Sequence, residues 1–156
     1  MWKACVLIAV AGFLVSCAAP PFTGAEPREK VLIATEKSDF KNAVVAGITQ
    51  RLEQARCTYR VVELNDLRWY TSEAHEAVVM LHSVWGWRLS GPVADFLDRT
   101  PQAQWYRIVV VSTARGEDWQ PKQKSINAIT SASSPDRVDA IAGYVLDRIL
   151  GALGKR

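Results

Sequence analysis

The side chains able to do chemistry are few, and their spacing narrows what they can do. His75 and His82 stand seven apart, with Glu73 and Glu76 beside the first. That spacing matches no established metal-ligand pattern, so the four residues read as a surface charge cluster and no metal site is expected. No Gly-x-Ser-x-Gly elbow and no Ser-His-Asp arrangement is visible, which leaves nucleophilic hydrolysis without a signature and no catalytic residue assigned. Cys57 lies far from the other two cysteines, Cys5 and Cys17, and has no histidine near it in sequence. A lone cysteine at a strand start is more often a small buried hydrophobe than a reactive thiol. Two clusters remain of interest. Trp85 and Trp87 flank Gly86, offering flat π surfaces, and Thr35, Glu36, Lys37, Ser38 and Asp39 crowd one short turn.

The chain that must position these groups has 156 residues, of which 49% are hydrophobic and 22% charged, with 19 basic and 16 acidic side chains for a net charge of +3. This is a length for one domain. Disorder is excluded by the apolar content, and no nucleic-acid partner is expected, since such binders concentrate more positive charge on one face. Val31 to Thr35 is a continuous apolar run, the pattern of a strand buried on both faces of a parallel sheet. Phe40, Val44, Ile48 and Leu52 then repeat every four residues with Ala43 and Gly47 on the same side, predicting a helix over 40–55 with Ser38 or Asp39 as N-cap. Further strands are predicted at Tyr59 to Leu64, Ala77 to Leu81, Arg107 to Ser112 and Ile126 to Thr130. A short helix is predicted over Pro92 to Arg99, with Val93, Phe96 and Leu97 inward. A last helix begins at Ser134-Pro135 and carries Val138, Ile141, Val145, Ile149 and Leu150 on one face. The alternation predicts an α/β doubly wound sheet. The connections after the second and fourth strands are close to the dozen residues a parallel crossover requires, so irregular segments or single helical turns are expected there in place of full helices.

At the other end of the chain, residues 4–16 form an uncharged apolar run behind Lys3, shorter than a bilayer span. The run closes in Leu14-Val15-Ser16-Cys17, which resembles the lipobox of bacterial lipoproteins. The resemblance implies a signal peptide over 1–16, acylation of Cys17 with palmitate-type chains, and a lipid-anchored protein of the bacterial cell envelope. Several acyl chains hold a protein on a bilayer far more firmly than one. A soluble secreted protein cut nearby, or an uncleaved anchor, is the other reading. Loss of residues 1–16 removes Lys3 and Cys5, takes the charge to +2 and leaves no intramolecular disulfide. Residues 18–29, rich in Pro, Ala and Gly, read as a tether, and the folded domain is placed at 30–156. Ala18 lacks the aspartate associated with inner-membrane retention, which implies the periplasmic face of the outer membrane in a Gram-negative host.

The run from His82 through Val84-Trp85-Gly86-Trp87 and Gly91-Pro92 to Phe96-Leu97-Asp98 resembles the third-strand loop and following helix of flavodoxin-like proteins and their quinone-reductase relatives. Val84 stands where those families usually carry proline. The resemblance spans nearly all of residues 30–153 and implies a five-stranded sheet in the order 2-1-3-4-5, with any flavin at the carboxyl ends of the strands. It also implies three site loops. Thr35, Lys37 and Ser38 would meet the FMN phosphate, Ser83, Trp85, Gly86 and Trp87 would cover the isoalloxazine ring, and Thr113 to Gly116 would reach its other side. The phosphate turn departs from the family pattern. Glu36 and Asp39 bring negative charge, no glycine permits close backbone approach, Phe40 stands about where a phosphate-binding threonine is usual, and Lys37 offsets an acid only by pointing inward. Asn127 to Ser133 faintly resembles the signature on which extracytoplasmic flavoproteins receive FMN covalently, with Ser133 as acceptor, although Asn and Ser replace the defining Asp and Gly. Its other reading is a polar turn capping the last helix. Receiver domains share the strand order, but Ser83 and Ser131 stand near the places where they need an aspartate and a lysine.

The expectation is therefore a non-catalytic binding or assembly module with a degenerate flavin site, binding an envelope protein or small ligand and no cofactor. The alternative is an FMN-binding electron carrier, or a quinone or NAD(P)H-type reductase, at the membrane surface.

Overall fold

A computed structural model describes residues 29–114 and 126–155. The expected signal peptide over 1–16, Cys17 and most of the expected tether lie outside the described residues, as does Gly116. Five strands, β1 (Val31–Thr35), β2 (Tyr59–Glu63), β3 (Ala77–Ser83), β4 (Ile108–Thr113) and β5 (Asn127–Ser131), form one sheet in the order β2-β1-β3-β4-β5. Every neighbouring pair is parallel. Among the described residues three α-helices cover it: α1 (Asp39–Gln54), α2 (Gly91–Asp98) and α3 (Val138–Ala152).

The alternation along each central strand fills two cores. Val31, Ile33, Val79, Leu81, Val109 and Val111 face α1 and α3, meeting Val44, Ile48, Leu52, Ile141 and Val145. Leu32, Ala34, Val78, Met80, Ile108 and Val110 face the other way, onto Val93, Phe96 and Leu97 of α2 and onto Leu64 and Leu67. This is why β1 and β4 read as unbroken apolar runs: both faces of the strand are covered. Among the described residues the two clusters run from Val31 to Leu153. Gly47 lets α1 approach α3 closely, since a Cβ there would stand 3.1 Å from that of Ala142.

The crossover from β2 to β3 is two short 3₁₀ turns, Leu64–Trp69 and Ser72–Ala74, in place of a helix. Most of the crossover from β4 to β5 lies outside the described residues. Several boundaries differ from expectation. β3 extends two residues further, through His82 and Ser83, because Ser83 pairs with Thr113 of β4. Ser134-Pro135 opens a single 3₁₀ turn, Pro135–Arg137, and the α-helix proper begins at Val138. On α1, Ala43 is exposed and Lys41 is buried in its stead.

Candidate functional site

The carboxyl ends of β1, β3 and β4 bring together the turn after β1, the loop after β3 and the start of the β4 loop. At the first of these, Ser38 is extended and its hydroxyl accepts from the Lys41 N–H at 3.1 Å, capping α1. Ser38, and not Asp39, is thus the cap, and Asp39 stays exposed in the first helical turn. Thr35 donates its hydroxyl to the Glu36 carbonyl at 3.0 Å. The Glu36 N–H still bonds to the Leu81 carbonyl, 3.2 Å away, continuing the ladder one residue past β1 and turning the Glu36 side chain toward the end of β3.

There the carboxylate is held. Glu36 Oε2 accepts from the Ser83 N–H at 3.0 Å and from the Ser83 hydroxyl at 2.8 Å. Lys41 reaches over from α1, donating to Ser83 Oγ at 2.8 Å with its Nζ 3.3 Å from Glu36 Oε2. The lysine side chain is 4% exposed and the glutamate 31%. A cation in the first turn of a helix opposes the helix dipole, so Lys41 depends on this carboxylate for its place. The charge that offsets Glu36 comes therefore from Lys41. Lys37 points outward and pairs with Glu63 of β2 at 2.5 Å. Phe40 is half-buried and packs against the α1–α3 core, leaving the turn's inner surface to Glu36. Lys41 escaped the sequence reading, although a signal existed: it shares the helical face of Val44, Ile48 and Leu52, where a lysine needs a partner.

The loop after β3, residues 84–90, carries a two-residue turn at its tip. Gly86 and Trp87 both have positive φ, at 57° and 61°, and Arg88 N–H returns to the Trp85 carbonyl at 3.2 Å, closing the type I′ pattern. A tryptophan in the left-handed region is strained by about 1–2 kcal/mol. Trp85 and Trp87 are 81% and 76% exposed. Beneath them Val84 N–H bonds to the Thr113 carbonyl at 2.9 Å, and Thr113 Oγ1 donates to the His82 carbonyl at 3.2 Å. Of the site residues expected from the sequence, Thr35, Ser38, Ser83 and Thr113 thus converge at one pole, while Trp85 and Trp87 project from it. Ser133 is exposed in the loop after β5.

The remaining candidates separate. His75 and His82 sit at opposite ends of β3, the first against Tyr70 with Nδ1 2.9 Å from the Glu29 carbonyl. Among the described residues no three His, Cys, Asp or Glu side chains stand together as a metal site. Cys57 is 4% exposed inside the α1–α3 core, with Lys155 Nζ 3.5 Å from its sulfur.

His82 is fully buried, its Nε2 2.8 Å from Ser112 Oγ and its Nδ1 3.0 Å from the Ser83 carbonyl. Burial pushes its pKa below the ordinary histidine range, opposed in part by the Ser83 carbonyl and the Glu36 charge, while Lys41 adds to the lowering. The unfolded chain takes up a proton first as pH falls. The contribution of this neutral ring is fully present above the unfolded value near pH 6.5 and is lost as pH falls below it. Urea unfolding between about pH 7.5 and pH 5 is expected to show stability falling with pH, with His82→Gln flattening that slope.

Solved structures that share this fold include three of similar extent. A flavodoxin from the domain Archaea superposes with a TM-score of 0.53 at 12% identity, over 79% of this chain and 98% of its own. An oxidoreductase from Corynebacterium diphtheriae does so at 0.53 and 13%, over 80% and 98%. Flavodoxin 2 from Bacillus cereus does so at 0.52 and 14%, over 78% and 98%. No family model and no curated protein matches the chain. At these identities the likeness establishes the flavodoxin-like fold, and the residues must carry any further reading.

Proposed function

We propose that this protein is a lipid-anchored component of the bacterial cell envelope whose flavodoxin-like domain serves as a non-catalytic binding or assembly module. The observation that carries the reading is the Glu36–Ser83–Lys41 network at the turn where a flavin phosphate would lie. A helix N-terminus holds a dianion through free N–H groups, hydroxyls and nearby cations. Here Ser38 is committed to the helix cap, Ser83 to the carboxylate, and Lys41 is directed at Ser83 and Glu36. The Glu36 carboxylate adds repulsion where the phosphate would need attraction. The residues of this turn therefore do not fit the phosphate of FMN, and no redox step is assigned to them.

Anchoring is carried by the Leu14-Val15-Ser16-Cys17 motif, with outer-membrane placement following from Ala18 in a Gram-negative host. Among the described residues no helix is long and apolar enough to cross a membrane. Cys17→Ser is expected to abolish incorporation of labelled acyl chains.

The alternative, an FMN-dependent electron carrier or reductase, is favoured by the fold and by the two indoles at the carboxyl pole. Titrating FMN into residues 18–156 against tryptophan fluorescence decides between them. The expected result is no saturable quenching at micromolar FMN. Saturable quenching, or a yellow protein from riboflavin-replete cells, would overturn the proposal. Colour surviving denaturation would direct attention to Ser133.

A further inference from the structure

We propose that the Trp85–Arg88 turn is a second membrane contact, inserting its two indoles into the headgroup region of an anionic lipid surface. The turn is built to expose them. Two successive positive φ angles, one of them at a tryptophan, hold a narrow tip whose indoles are 81% and 76% exposed. Such strain survives where the surrounding structure imposes it, and it clusters at working surfaces. Neither indole N–H meets an acceptor among the described residues, so each ring offers an apolar body with an unsatisfied polar handle, the combination that settles at a membrane interface.

Two further features choose lipid over a protein. Burying both indoles would cover about 300–500 Å², short of the ~800 Å² per partner of a stable protein interface. A projecting tip with so little area suits a fluid surface that closes around it. The segment 82–94 also carries Arg88 and no acidic residue, which suits anionic headgroups.

Geometry permits the contact. The tether enters at the amino end of β1, opposite the turn. The 7 residues of β3 rise about 23 Å from one pole to the other. Residues 17–30 extend to about 45 Å, enough for the domain to turn its carboxyl pole to the bilayer that holds Cys17. The inference goes beyond the binding-module reading and takes from it only the nearness of a bilayer.

The test places the full lipoprotein in phosphatidylethanolamine–phosphatidylglycerol vesicles containing brominated acyl chains and reads tryptophan quenching. Quenching is expected in the native chain, with the greater part lost in the Trp85→Ala/Trp87→Ala double variant and none lost in Trp69→Phe, which removes an exposed tryptophan outside the turn. Deleting residues 18–24 shortens the reach to about 21 Å, and quenching should fall while the protein stays with the vesicles. Absence of quenching, or equal quenching in the double variant, overturns the proposal. So does self-association of residues 18–156 that the double variant abolishes, which would assign the turn to a second copy of the chain. Recovery with the vesicles reports the anchor and quenching reports the turn, so the two readings fail separately.

Discussion

Glu36→Ala is expected to destabilise the domain by about 3 kcal/mol or more, the scale of a buried ion pair broken from one side. The asymmetry of the pair makes the expectation specific. Lys41 is almost wholly buried and Glu36 is about a third exposed, so removing the glutamate strands an ammonium away from water with only Ser83 as partner. Removing the lysine does less. In Lys41→Met the carboxylate keeps the Ser83 N–H and hydroxyl as donors and retains access to solvent. The methionine also suits the apolar neighbours on that helical face. Thermal unfolding of the two variants side by side should show the larger loss for Glu36→Ala. Equal losses, or a larger loss for Lys41→Met, would mean that the lysine is not held by this carboxylate. Added inorganic phosphate should raise the melting temperature of Glu36→Ala more than that of the native chain, because a freed cation at a helix N-terminus accepts an anion.

Phe96→Ala is expected to cost about 3–5 kcal/mol, a large share of the ~5–15 kcal/mol that separates folded from unfolded domains. Phe96 is fully buried in the core between the sheet and α2, and the Arg99 guanidinium lies over its ring at 4.9 Å. The helix has only 8 residues, held to the sheet chiefly by Val93, Phe96 and Leu97. No full helix stands beside it in the preceding crossover to close the gap, so a cavity there has little means of collapsing. Urea unfolding of the variant should show the midpoint falling with little change in slope. A loss below about 1 kcal/mol would show that this face of the sheet repacks freely.

Most of the fold was legible because hydrophobic period reports burial. Val31 to Ala34 and Ile108 to Val111 are apolar at every position because a central parallel strand is covered on both faces, and the spacing of Val44, Ile48 and Leu52 is the signature of one helical stripe. The thin β2–β3 crossover followed from residue count alone. The site was less legible, since its character lies in directions that spacing does not encode. Glu36, Lys37 and Lys41 were all visible as charges, yet which lysine turns inward depends on the extra ladder bond at Glu36 and on the position of Lys41 one turn before Val44. Ser38 and Asp39 are both competent caps, and only the extended backbone of Ser38 selects between them. The tryptophan turn was visible as Trp85-Gly86-Trp87, but one glycine accounts for one positive φ, and nothing in residue type announces the second at Trp87.

The all-parallel ladders have a kinetic consequence. Val31 pairs with Tyr59 and with Ala77, and Val78 with Ile108, so no strand finds its partner across a tight hairpin. Chains whose contacts are this distant in sequence collapse into their native topology slowly, because loop closure precedes any gain from pairing. β1 in particular cannot be locked into place until β3 has left the ribosome. In the lipid-anchored reading proposed above, this delay would serve export: a chain that has not yet closed its sheet stays threadable while it is handed to a translocation channel.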